Sequence, residues 1–154
     1  MGKGLQGSHG RRKFISIKSS NYDLSNTCNL TCEGCYYFLS NQKTDNKRPS
    51  REAYDAFFAA EAARGINYPL FSGGEPSLNS TALRIAGKYW KNGIIYTNGM
   101  RKIPDDVSFR IAISIWGANE RNTRLRGDQA YFTALDTAAG DSRAFIYLTI
   151  NRET

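Results

Sequence analysis

The chain has 154 residues, enough for one domain with a single buried core. Its 40% hydrophobic and 23% charged residues argue against a disordered or fibrous chain. No apolar run reaches the roughly 18 residues of a membrane span, and the N-terminus has no secretory apolar stretch, so a cytoplasmic protein with no membrane partner is expected. The net charge of +7 is uneven. Lys3, Arg11, Arg12, Lys13 and Lys18 fall in an acid-free first 18 residues, leaving 16 basic against 14 acidic residues in the rest. The body therefore offers no strongly basic surface for nucleic acid.

Residues 1–13 are Gly-rich and basic and predict a flexible tail; residues 14–154 form the domain. A short leading strand is predicted over 14–17 and a strand over 22–26, running into a cysteine-rich loop. Polar residues 41–49 predict a loop. Ser50 is placed to cap a helix to Arg64 that Gly65 ends, with Tyr54, Phe57, Phe58 and Ala62 on one face. A strand follows over 69–72, then a helix capped by Ser80 or Asn79, running to Lys91 and stopped by Gly93. Its face includes Leu83, Ala86 and Trp90.

Strands are predicted over 94–97 and 110–115, the latter almost wholly apolar, as buried parallel strands tend to be. The link between them is near the minimum for a crossover, with at most one helical turn over 104–107. A helix over 129–139, capped by Asp128 and ended by Gly140, and a strand over 144–150 complete the order. Strands alternating with helices imply an α/β fold built on a parallel sheet. With the chain stopping after the fifth strand, an open edge is expected that a partner chain or further segment would cover.

Three cysteines lie within eight residues, Cys28-Asn29-Leu30-Thr31-Cys32-Glu33-Gly34-Cys35. An odd, tight cluster suits a metal or iron–sulfur site better than disulfides. Three sulfurs can hold three corners of one cuboidal cluster, and the absence of a fourth cysteine leaves one iron open. A structural zinc would want a fourth ligand, and the single histidine, His9, lies in the tail. Ser72-Gly73-Gly74-Glu75-Pro76 is the second feature. Paired glycines let backbone approach a ligand closely, Glu75 offers a carboxylate to an amine, and Pro76 stops sheet pairing. Taken alone, this run is equally a plain turn.

The C-x3-C-x2-C spacing after the first strand and Gly-Gly-Glu-Pro after the second resemble the radical S-adenosylmethionine (radical SAM) superfamily. Thr97-Asn98-Gly99, Ser114-Ile115-Trp116-Gly117 and Arg126-Gly127 follow in a supporting order, and the resemblance runs from about Tyr22 to the end. It implies a partial (β/α) barrel of parallel strands, with about five of the usual six βα units and without the usual C-terminal strand and substrate region. It further implies a 4Fe–4S cluster on Cys28, Cys32 and Cys35, with S-adenosylmethionine on its open iron. Reductive cleavage would give a 5′-deoxyadenosyl radical that abstracts hydrogen from an unknown substrate. The electron would come from a one-electron reductant such as a flavodoxin or ferredoxin.

By the same resemblance Gly73, Gly74 and Glu75, with Pro76, would meet the methionine amino group. Ser114 would reach the ribose, Arg126 the carboxylate or ribose edge, and Asn98 would line the pocket. Each has a plainer alternative: a strand-end hydroxyl for Ser114, a surface ion pair for Arg126, a turn at Asn98-Gly99. Gly34 stands where relatives often carry an aromatic residue. Tyr36 and Tyr37 are placed to cover the adenine or to pack beneath the barrel, and Trp116 to shape a pocket or fill the core. No catalytic residue is assigned. The alternatives kept open are a truncated accessory form needing a partner, a zinc-binding interaction module, and a ferredoxin-like electron carrier.

Overall fold

Period-two alternation along the strands decides the architecture, because it gives every strand one apolar and one mixed face. The computed structural model describes residues 16–40 and 48–150. The tail 1–13, residues 14–15 of the expected leading strand and most of the expected loop at 41–49 lie outside these; Ser16 and Ile17 are not in a strand. Strands β1 (Ser19–Ser25), β2 (Tyr68–Gly73), β3 (Ile94–Thr97), β4 (Arg110–Ile115) and β5 (Ala144–Leu148) form one sheet in the order β1-β2-β3-β4-β5. Every neighbouring pair is parallel. Unbroken sequential order is the arrangement of a barrel wall, whereas a doubly wound sheet reverses its order at a switch point. The chain is thus α/β with the partial, open barrel expected.

Helices α1 (Tyr36–Ser40), α2 (Arg51–Ala63), α3 (Ser80–Tyr89), α4 (Asn119–Arg126) and α5 (Ala130–Ala139) connect the strands, with a 3-10 turn at Pro76–Asn79. Ser50 caps α2 as expected, its Oγ accepting from the Ala53 amide at 3.2 Å. Phe58 on α2 is fully buried; Phe57, expected on the same face, is half exposed. The outer face of the sheet (Tyr22, Leu24, Phe71, Ile95, Ile111, Ile113, Ile115) packs with Phe58, Leu83, Ile85, Ala86 and Ala134 of the helices in one core. The inner face carries Asn21, Asp23, Ser72, Tyr96, Ser114 and Tyr147, a polar and aromatic set that a buried sheet would not carry.

Several boundaries differ from expectation. Helix α3 ends at Tyr89, not Lys91, because Trp90 turns to extended backbone and its indole N–H donates to the Ile66 carbonyl at 2.7 Å. Gly93 does not stop that helix; a Cβ there would sit 2.6 Å from the Pro69 carbonyl oxygen, so the residue is held small by β2 passing over it. The N-cap of α5 is Gln129 rather than Asp128, with no side-chain cap bond. Strand β5 stops at Leu148, although the Thr149 amide still donates to Ile115. Helices α1 and α4 were not expected.

The β3–β4 crossover contains no helix, and Val107 closes a turn on the Pro104 carbonyl. It is held instead by Arg143, which donates to the carbonyls of Ile103, Pro104 and Val107 while its guanidinium pairs with Asp141. Arg143→Met should cost about 2 kcal/mol, because the loop's carbonyls lose their donor and Asp141 its partner. The hydrogen bond from Arg143 also holds the Asp141 carboxyl below its ordinary value of 3.8. Its folded value is the depressed one, so this stability is complete above the unfolded value and is lost as pH falls through the folded one. The urea-midpoint gap between wild type and Asp141→Asn is expected to narrow between about pH 6 and about pH 3.

Candidate functional site

Each strand's carboxyl end delivers one piece of the site. The cysteine loop leaves β1 and is stitched to the loop after β2: the Gly74 amide donates to the Ser25 carbonyl at 2.6 Å, and the Glu75 amide to Thr27 at 2.8 Å. A Cβ on Gly74 would lie 2.3 Å from the Thr27 oxygen. Gly73, at φ +110°, would place one 2.6 Å from the Ser25 oxygen. The paired glycines therefore admit the cysteine loop's own backbone. Gly34 has φ +71° with open space around it, so backbone conformation accounts for glycine where an aromatic residue was expected.

Glu75 is buried and wholly engaged. One carboxylate oxygen accepts from the Ser77 amide at 2.9 Å and the Thr97 hydroxyl at 2.6 Å; the other accepts from the Asn98 amide at 2.8 Å. It thus ties the loop after β2 to the end of β3. Pro76, also buried, opens the 3-10 turn that follows. Asn98 carries the link onward, its Nδ2 donating to Asn29 Oδ1 at 2.8 Å and to Cys28 Sγ at 3.7 Å, while its Oδ1 accepts from the Met100 amide. The Leu30 amide also donates to Cys28 Sγ, at 3.4 Å. Burial pushes the Cys28 thiol above its ordinary range. The nearby Glu75 and Cys32 add to that, while the donors from Leu30 and Asn98 oppose it.

The three cysteines are free thiols, each half-buried. Among the described residues no three His, Cys, Asp or Glu side chains converge as metal ligands. The donor set nevertheless has the chemistry of an iron–sulfur site, three soft sulfurs on one short loop with no fourth cysteine in the chain. Cys28 and Cys32 line a cavity of about 330 Å³ that Thr27, Leu30 and Phe38 complete.

A larger cleft of about 840 Å³ opens on the inner face of the sheet, with Gly34, Tyr36, Ser72, Tyr96, Ser114 and Trp116 among its walls. Ser114 thus stands in the cleft wall, and its carbonyl accepts from Arg126 Nη1. Arg126 is buried, not a surface ion-pair residue. Its guanidinium lies 5.3 Å from the Trp116 ring centroid, and among the described residues Nε has no hydrogen-bond partner. Tyr36 is exposed at the cleft while Tyr37 is buried.

Sequence reasoning missed Asn29, Thr97 and Leu125 as site residues. Leu125, near the end of α4, accepts from the Glu33 amide at 2.8 Å and so anchors the cysteine loop from the far side. Adjacency to Asn98 was the only signal for Thr97; a backbone carbonyl such as that of Leu125 leaves none.

Five sequential parallel strands, with cysteines, paired glycines and a buried glutamate at their carboxyl ends, define an open α/β barrel with its site where such barrels place one. The same fold occurs in Streptococcus suis SuiB bound to precursor peptide SuiA, at TM-score 0.65 and 18% identity over 84% of this chain. It occurs also in native anSMEcpe with bound AdoMet and Cp18Cys peptide, at TM-score 0.60 and 18% identity over 84% of this chain. Hexahistidine-tagged anSMEcpe with bound AdoMet gives TM-score 0.59 and 17% identity over 80%. The chain spans 32%, 42% and 39% of those chains respectively. No protein-family model and no curated protein matches the sequence.

Proposed function

We propose that the chain is a radical SAM protein that binds a 4Fe–4S cluster through Cys28, Cys32 and Cys35, and S-adenosylmethionine beside it. The observation that carries this reading is the convergence of three motifs on Cys28, with Glu75 locking the ends of β2 and β3 and Asn98 reaching the sulfur. Neighbours of the same fold hold AdoMet, and two hold a peptide. The cluster, when bound, would supply the electron that splits S-adenosylmethionine into methionine and a 5′-deoxyadenosyl radical. The chain's own residues position and shield. The backbone of Gly73 and Gly74, with Glu75 and Pro76, would shape the amino-group end of the cofactor pocket. Ser114 and the orphan Nε of Arg126 would serve its ribose or carboxylate, and Trp116 would wall the cleft against water.

The reductant would be a flavodoxin or ferredoxin, and free thiols suit a reducing, cytoplasmic setting. No helix among the described residues is long and apolar enough to cross a membrane. A second reading, turnover only with a partner chain or further segment over β5, is favoured by the exposed Ile146 and Leu148 on that edge strand. A strict monomer with full turnover in gel filtration would exclude it.

The test is anaerobic reconstitution with iron and sulfide, reduction, addition of S-adenosylmethionine, and quantification of 5′-deoxyadenosine by mass spectrometry. Retention of zinc without iron or sulfide would overturn the proposal. Asn98→Ala should lower the cluster's midpoint potential in an EPR-monitored titration, because an N–H donor to a ligating sulfur favours the more negative, reduced state. Asn29→Ala, which removes only the competing acceptor, should leave the potential near wild type.

A further inference from the structure

Arg126 is a cation that the fold buries without an anion. It ends α4 at 5% exposure, and among the described residues no Asp or Glu pairs with it. A charge so placed is costly unless other contacts hold it or a ligand supplies the opposite sign. Its hydrogen bonds divide the guanidinium into two edges. Nη1 donates to the Ser114 carbonyl, whereas Nε and Nη2 have no hydrogen-bond partner among the described residues. Nε and Nη2 form one fork of parallel donors, the arrangement that takes a carboxylate in two bonds.

Trp116 holds the flat side of that guanidinium, whose carbon lies over the ring, 5.3 Å from the centroid. An aromatic face engages the plane of an arginine and leaves its edges free. The tryptophan is fixed in turn. Its amide donates to Asn122 Oδ1 at 2.9 Å, and the fully buried Asn122 sits one helical turn before Arg126. These contacts close on themselves. Asn122 grips the backbone of Trp116, the ring of Trp116 meets Arg126, and Arg126 returns to Ser114, two residues before Trp116. Ser114 and Trp116 both line the 840 Å³ cleft, so the closed set borders the space where a ligand would lie.

An arginine free to turn loses rotamer freedom when a ligand fixes it, and one already fixed does not. We infer that Trp116 is a positioning residue for the carboxylate of the cofactor: its ring fixes Arg126 so that the Nε–Nη2 edge is set to receive that group. The identity of the ligand rests on the radical SAM reading; the hold of Trp116 on Arg126 does not.

The first measurement needs no cofactor. In a 1H–15N spectrum of the full-length chain, the Arg126 Nε–H, assigned by its loss in Arg126→Lys, should be displaced from the other arginines by the ring current of Trp116. In Trp116→Met it should return to them. The second measurement titrates the anaerobically reconstituted chain with S-adenosylhomocysteine and with its decarboxylated counterpart, which keeps the amino group. Trp116→Met should weaken S-adenosylhomocysteine about tenfold and the decarboxylated compound less than about twofold. In an Arg126→Met background the same change should have no carboxylate-specific effect. Trp116→Phe, which keeps a ring face, should cost less than about threefold. If Trp116→Met does not fold, Trp116→Phe carries the test: it should shift the Nε–H signal part of the way and weaken S-adenosylhomocysteine more than the decarboxylated compound. Equal weakening of both nucleosides marks a merely structural role and overturns the inference, as does an unmoved Nε–H signal. A wild-type chain that binds neither nucleoside would sink the radical SAM reading and the carboxylate role with it. A carboxylate preference retained in Trp116→Met would sink the inference alone.

Discussion

Glu75→Ala is expected to lower the unfolding free energy by about 3–6 kcal/mol, a large share of the stability of a domain this size. The carboxylate accepts from the Ser77 amide, the Thr97 hydroxyl and the Asn98 amide, and its side chain is 1% exposed. Truncation strands three donors where water cannot readily reach them, at about 1–3 kcal/mol each. Two of those donors belong to β3 and the loop beyond it, so the loss spreads from the loop after β2 to the strand that carries Asn98. Glu75→Gln separates charge from shape. It keeps one carbonyl for Ser77 and Thr97 but turns an amide NH2 toward the Asn98 amide, and should cost about half as much. A urea melt gives both values. A double-mutant cycle with Thr97→Val should show coupling of about 1 kcal/mol or more, since the two side chains share a 2.6 Å bond. If Glu75→Ala melts like wild type, the carboxylate is not the pin that its three partners indicate.

That glutamate shows where the sequence is legible and where it is not. Local signals carried far: Ser50 capped its helix, the apolar run 110–115 became the buried β4, and five strands appeared where alternation and turn residues put them. These depend on neighbours within a few residues, which a linear reading contains. The partners of Glu75 lie up to 23 residues away and meet it only through the register of β2 against β3, Leu70 on Ile94 and Phe71 on Ile95. The same holds for Arg143, whose three carbonyl acceptors lie 36 to 40 residues earlier.

Helix α4 was missed for a different reason. Asn-Glu-Arg-Asn-Thr-Arg-Leu-Arg has no apolar stripe, and its buried face is made of Asn122, Leu125 and Arg126, two of them polar. Part of that polar face holds the end of β4 and the loop after it: Asn122 Oδ1 accepts from the Trp116 amide at 2.9 Å, and Arg126 donates to the Ser114 carbonyl. A helix whose inner face holds a site in place does not announce itself by hydrophobic period.

Cys32→Ala should abolish cluster assembly and 5′-deoxyadenosine formation while leaving the fold standing. Cys32 is half-buried on the loop, one wall of the 330 Å³ cavity. Removing its sulfur should change the melting temperature by less than about 3 °C, the scale of about 1 kcal/mol in a domain this long. Its chemical cost is of another order. The chain has three cysteines, so two thiolates remain for a cuboidal cluster that needs three and still must keep one iron open. Iron and sulfide content after anaerobic reconstitution, read beside a thermal melt, separates this variant from Glu75→Ala. The cysteine variant should be folded and cluster-free, whereas the glutamate variant should lose both fold and cluster together. A Cys32→Ala protein that still assembles a 4Fe–4S cluster and still yields 5′-deoxyadenosine at the wild-type rate would show that the C-x3-C-x2-C loop is not the cluster's seat. A wild-type chain that assembles the cluster yet forms no product would instead move attention to β5, where Ile146 and Leu148 stand exposed and further protein would close the barrel.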